Sequence, residues 1–376
     1  MTKLRRLILG LDRRQRIVAA AAAAGVLAIV GVALAAVLTA GGPKAATRST
    51  TTTVAPPTST TLPRPKLDSH LCPLTGVRAP GGKVPQRPAL AVKIGNDPAS
   101  RPQSGLDQAD IVYEEMAEGG ITRYMAVYQC QSAPLIGPVR SVRWDDWTIL
   151  QQYGHPILAY SGGIIPWTNI VASLPWLFNA NGSIYPTANA YYRYNSSAPP
   201  ANLGAPYNYY TSTAPLWALD RTGRTPPPPM FRYSAKAPRL ARPASSASIS
   251  FSGASDVVWK WSAGADAWMR YYAAQPDQNP NGQQLHATNV VIQIVATRIG
   301  PYDESGPNSG DVESLTVGSG TVYVLRNGKV EKGTWTRPAL GDGTKLTFAN
   351  GTPITLAPGN TWIEVAPTTT PVSITP

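Results

Sequence analysis

Histidine is close to absent from this chain. His70, His155 and His286 are the three in 376 residues, and none is spaced from another as an i, i+4 or C-x-x-C type ligand set, so no metal centre is expected. His155, just ahead of a run ending in Tyr160-Ser161-Gly162-Gly163, reads as a hydrogen-bonded structural residue. Cysteine is scarcer still. Cys72 and Cys130 stand alone, and a catalytic thiol has little support. Nucleotide signatures are missing as well: there is no P-loop and no dinucleotide fingerprint. Ser161 has glycine only on its C-terminal side, which excludes a G-x-S-x-G nucleophile elbow. Nothing in the chain implies a cofactor.

Acidic residues are also few, 21 against 33 Lys+Arg, and the imbalance is uneven. Residues 1–16 carry six basic side chains and one acid. Residues 17–40 follow as an uncharged run of 24, rich in Ala, Val, Leu and Ile. At ~1.5 Å per residue such a helix crosses a ~30 Å bilayer core, and it is longer than the usual apolar core of a cleaved signal peptide. The basic flank then sets the N-terminus in the cytoplasm and the remainder outside, giving a single-pass protein of the cell membrane. Residues 41–66 collapse to Thr, Ser, Pro and Ala, a composition that cannot bury a core and reads as an extended tether. In an oxidising exterior, Cys72 and Cys130 are expected to form a disulfide. Export also argues against nucleic acid as a partner, despite the basic composition.

The remaining residues suffice for two domains, 67–240 and 244–366, with 367–376 as a tail and proline-rich sequence (TPPPPM, then KAPRLARPAS) dividing them. Charge divides there too: residues 41–243 hold 19 Lys+Arg against 10 Asp+Glu, and residues 244–376 hold 8 against 10. The first domain reads as mixed α/β. Strands are expected over 89–95, 111–117, 121–129 and 156–160, with helices over 142–153 and 164–177; a single helix over 104–118 is the rival reading of that stretch. The second domain, with short alternating runs and an Asn327-Gly328 hairpin signal, reads as mostly β.

Polar residues crowd the segment from Arg101 to Gly163. A two-residue turn at Gly119-Gly120 would set Met116 opposite Arg123, with Glu114 and Glu118 as diagonal neighbours of that guanidinium. Such a group is either a structural ion network or an acid–base site with Glu114 or Glu118 oriented by Arg123. Arg140, Ser141 and Arg143 lead into the expected helix. They suit binding of phosphate or carboxylate at its N-terminus, or else Ser141 caps the helix and Arg143 pairs with Asp145 or Asp146. Arg101 belongs to the same basic set. Further on, Tyr207, Tyr209 and Tyr210 lie in an aromatic, loop-rich region that suits either stacking on sugars or a domain interface.

The segments CPLTG, RPALAVKIGN, RPQSGLDQADIVYEEMAEGGITRYMAVYQ and IGPVRSVR, with WMRYY, ATNVVIQ, RNGKVEKGTW and APGNTWIEVAP downstream, resemble the YerB-like family of bacterial lipoproteins. The resemblance spans roughly residues 70–366. It implies an envelope protein of α/β plus β architecture, with two domains of unknown function and no established reaction. Family members are typically anchored by a lipidated cysteine; here no such cysteine follows the apolar run, so a transmembrane anchor takes its place. The family's Pro-His-Asn-x-Tyr motif reads Pro206-Tyr207-Asn208-Tyr209-Tyr210 here, without the histidine. Residues and resemblance together point to a membrane-anchored protein that binds an anionic glycan, wall precursor or envelope partner. A wall-active hydrolase or transferase, and a scaffold for wall-synthesis proteins, are the alternatives.

Overall fold

The computed structural model describes residues 66, 68–194, 203–220, 225–303 and 309–376. The expected anchor (17–40) and nearly all of the tether (41–66) lie outside these residues. Among the described residues, no helix is long and apolar enough to cross a membrane.

Apolar runs such as LAVKIG, ILAY and TWIEVAP suit strands covered on both faces, and they form inner strands of a 12-stranded sheet. Its order is Lys345–Thr347, Lys329–Arg337, Gly318–Arg326, Asn289–Ile299, Thr361–Pro367, Ile111–Met116, Thr122–Tyr128, Leu90–Gly95, Ile157–Tyr160 and Phe178–Asn181, with two short strands off this path. From Asn289–Ile299 to Phe178–Asn181 every strand points the same way except Thr122–Tyr128. One face, through Val92, Val112, Tyr124 and Trp362, packs against Trp259 and Trp268 of a six-stranded sheet. The other, through Ala91, Tyr113, Met125 and Ile363, packs against Trp147, Leu150, Trp167 and Val171 of the helices Trp144–Leu150 and Ile165–Ser173.

The first half is thus mixed α/β and the second mostly β, as expected. The large sheet, however, runs through both. Thr361–Pro367, from the end of the second half, lies parallel to Ile111–Met116 of the first, with Glu364 beside Glu114. Residues 367–376, read as a tail, supply the strand Val372–Thr375, which pairs with Ser246–Ser250 in the six-stranded sheet. Asn327 and Gly328 both take positive φ, 49° and 65°, in the turn between Gly318–Arg326 and Lys329–Arg337, as a tight hairpin requires. Cys72 and Cys130 are bonded, with Cα atoms 5.9 Å apart.

The 111–128 segment is a hairpin, and the helix over 104–118 is not formed. Its loop departs from expectation by one residue. Met116 pairs with Thr122, Glu115 with Arg123 and Glu114 with Tyr124, leaving a three-residue turn, Glu118–Gly120, in which Gly119 and Gly120 have φ of 70° and 72°. Because side chains alternate across a sheet, one residue of register sends Glu114 and Arg123 to opposite faces.

Candidate functional site

An open cleft of about 620 Å³ lies at the edge where the parallel strands end, the position at which open α/β sheets bind ligands. Asp97 reaches it just past Leu90–Gly95, Glu118 just past Ile111–Met116, and Arg123 from the start of the antiparallel Thr122–Tyr128. Arg140, Ser141 and Arg143 come from a crossing segment. That segment is pinned on one side by Arg140 N donating to Lys93 O (3.0 Å), and on the other by Ser161 N donating to Arg140 O (3.0 Å) and Val142 N to Gly162 O (3.0 Å). Gly119, Ile121, Tyr207 and Ser309 complete the lining, so both halves of the chain contribute.

Arg143 grips Glu118 with two nitrogens, Nε to Oε2 at 2.8 Å and Nη2 to Oε1 at 2.6 Å. Burial would raise the Glu118 pKa, but the hydrogen bonds and charge of Arg143, with Arg123 beyond, outweigh it and bring the carboxyl down to about 2. Arg123 Nη2 is 3.7 Å from Glu118 Oε1, and its Nη1 is 3.9 Å from Asp97 Oδ2. Burial, then the like charge of Arg143, lower its own pKa to about 10, with Arg140 adding to the effect. Arg140 lies with its guanidinium carbon 5.1 Å from the centre of the Tyr207 ring, and it makes no ion pair among the described residues. Three guanidinium groups therefore share the cleft with two described carboxylates.

The helix contributes no anion site. Arg143, not Ser141, occupies the N-cap position; its N–H donates to Asp146 Oδ2 at 2.7 Å, and Asp145 and Asp146 fill the first turn. Nor does Arg143 pair with either aspartate through its side chain, as the alternative reading had it: Asp145 accepts from Ser314 N at 2.8 Å, and Asp146 lies 2.9 Å from Lys93 Nζ.

Glu114 lies away from the cleft, sealed between the two sheets. Its Oε2 is 2.5 Å from Arg270 Nη2, and its Oε1 accepts from Thr122 (2.6 Å) and Asn96 (3.1 Å). Arg270 also pairs with Asp277, within a box of Tyr124, Trp259, Tyr272 and Trp362 rings. Glu364, next to Glu114, accepts from Trp259 Nε1 at 2.8 Å; burial first and Glu114 second push its pKa well above the ordinary carboxyl range. Sequence reading missed this network because its members are far apart along the chain. On the opposite face Lys93 is equally buried between Glu115 and Asp146.

Arg101 is also outside the cleft. It stacks on Tyr272 at 3.5 Å and donates to the carbonyls of Asn96 and Ala254, both at 2.9 Å. Of the three tyrosines only Tyr207 lines the cleft. Tyr209 stacks on Tyr191 and donates to Gly182 O at 2.6 Å, while Tyr210 is fully buried, which removes it as a sugar platform.

Two family descriptions match this chain. Residues 74–224 match the "Protein of unknown function (DUF3048) N-terminal domain", and residues 247–363 match the corresponding C-terminal domain. The chain belongs to the DUF3048 family. Within its two matched regions fall all the charged groups of the cleft, and Ser309. A relative, the "Putative lipoprotein YerB" of Bacillus subtilis (strain 168), is 27% identical over 300 residues, covering 78% of this chain and 86% of its own. The crystal structure of YerB protein from Bacillus subtilis superimposes with a TM-score of 0.65 at 22% identity, over 81% of this chain and 99% of that one, a likeness of fold.

Proposed function

We propose that this chain is a membrane-tethered, extracytoplasmic envelope protein whose cleft binds an anionic wall polymer or wall precursor. The observation that carries the reading is the convergence of Arg123, Arg140 and Arg143 on one open cleft. Planar guanidinium forks match phosphate and carboxylate oxygens in pairs. The basic flank and the 24-residue apolar run support tethering by a single span, and the lipoprotein name of the Bacillus relative supports an envelope location.

Acid–base catalysis draws no support from the geometry. Glu114 is sealed away from the cleft, and Glu118, ionised and gripped by Arg143, has no proton to donate at neutral pH and little basicity.

Titrating wall teichoic acid and peptidoglycan fragments against wild type, Arg140→Lys and Arg140→Ala at two salt concentrations tests the reading. A charge-assisted bond contributes on the order of 1.5–3 kcal/mol, so Arg140→Ala should weaken binding by about tenfold or more, with Arg140→Lys intermediate because it keeps charge and loses the fork. Equal affinity across the three at unchanged stability would remove anion binding from the cleft.

A further inference from the structure

Four of the five most exposed large apolar side chains among the described residues sit on the edge that carries the arginine cleft. Tyr185 is 82% exposed, Ile165 73%, Ile299 70% and Ile184 50%; Leu240, at 57%, is the exception. Their positions follow from contacts. Ile165 stands two residues after Gly163, whose missing Cβ would lie 2.8 Å from Val142, the residue between Ser141 and Arg143. Ile184 and Tyr185 follow Ser183, whose Oγ is 3.4 Å from Ser161 Oγ, and Ser161 N bonds to Arg140 O. Ile299 packs on Gly310, where a Cβ would come within 2.8 Å of it, next to Ser309 in the cleft wall.

Scattered exposed apolar residues call for no explanation, but a group of them flanking a cationic cleft does. A soluble polyanion would use the arginines and leave the isoleucines without a role. An anionic bilayer uses both, because apolar side chains enter the boundary between headgroups and acyl chains while guanidinium groups take lipid phosphates. We propose that this edge is a lipid-docking surface, with an anionic bilayer as its partner and the cleft opening towards the headgroups. The inference rests on the anion-binding reading of the cleft and goes beyond it, adding lipid phosphate to wall polymer as an anion that the arginines take.

The test uses the full-length chain in nanodiscs of phosphatidylcholine, with or without phosphatidylglycerol, carrying a bimane label at Tyr185→Cys, Ile299→Cys or, as a remote control, Leu240→Cys. The native cysteines are bonded and leave the introduced thiol as the labelling site. With spin-labelled lipid as quencher, labels at 185 and 299 should be quenched several-fold more than at 240 in phosphatidylglycerol discs, and Arg140→Ala should remove most of the difference. Equal quenching at the three positions overturns the proposal, as does edge quenching that is indifferent to both phosphatidylglycerol and Arg140→Ala. Wall teichoic acid titrated against the same preparations separates the two readings. Normal affinity with equal quenching removes only the docking, whereas affinity insensitive to Arg140→Ala removes the anion site itself.

Discussion

Glu118 holds Arg143 by two hydrogen bonds and leans on Arg123, so it both orders the cleft and competes with any anion that enters. Glu118→Gln should cost about 2 kcal/mol at neutral pH, the scale of a charge-assisted bond, and should at the same time tighten polyanion binding. Urea denaturation and titration of one preparation would check both signs. The stability difference has a defined pH window. The folded pKa, about 2, is below the ordinary 4.5, so the contribution is complete above 4.5 and disappears as pH falls through about 2. Glu114→Gln should behave otherwise, destabilising the protein through Arg270 while leaving polyanion affinity unchanged. The arginines of the cleft were legible because they are concentrated in two short polar stretches, around 123 and over 140–143. The fate of Glu114 was not, since it turns on whether a glycine loop holds two residues or three.

Among the elements, the Thr361–Pro367 strand and the six-stranded sheet meet the first half through one buried charge network. Arg270→Ala would leave Glu114 and Asp277 uncompensated between two apolar layers, a loss of about 3–5 kcal/mol. A corresponding fall in the urea midpoint would measure it; a change under 1 kcal/mol would mean that the pair is far better solvated than its burial implies. The Cys72–Cys130 link joins residues 58 apart. By loop-closure entropy alone, its reduction should cost about 4 kcal/mol, readable from denaturation with and without dithiothreitol. Strand identities in this part of the chain could be read from local apolar runs, and the Asn327-Gly328 turn from its residue types. The parallel pairing of 111–116 with 361–367 could not be read, because nothing local in either strand names so distant a neighbour.

At the scale of the molecule, a sheet shared by both halves makes them one cooperative unit. Calorimetry should show a single unfolding transition, and residues 67–240 expressed alone should lack the fixed tertiary signal of the intact chain. Several buried carboxyls set the overall pH response. Burial raises Asp145 and Glu331 to about 7 and Asp110 to about 6. A raised carboxyl pKa means that the folded state holds its proton more tightly, so the associated stability is present below about 4 and lost as pH rises through 6 to 7. The melting temperature should therefore be higher at pH 5.5 than at pH 8, which a thermal scan in matched ionic strength would check.

The position of Thr361–Pro367 also fixes an order of events in synthesis. The chain emerges N-terminus first, and until residue 361 has appeared the strand Ile111–Met116 has a neighbour on one side only. Throughout that interval the first half presents an apolar, unpaired edge, the kind that pairs readily with another chain. A nascent chain built this way depends on whatever shields that edge until its own Thr361–Pro367 arrives to close it.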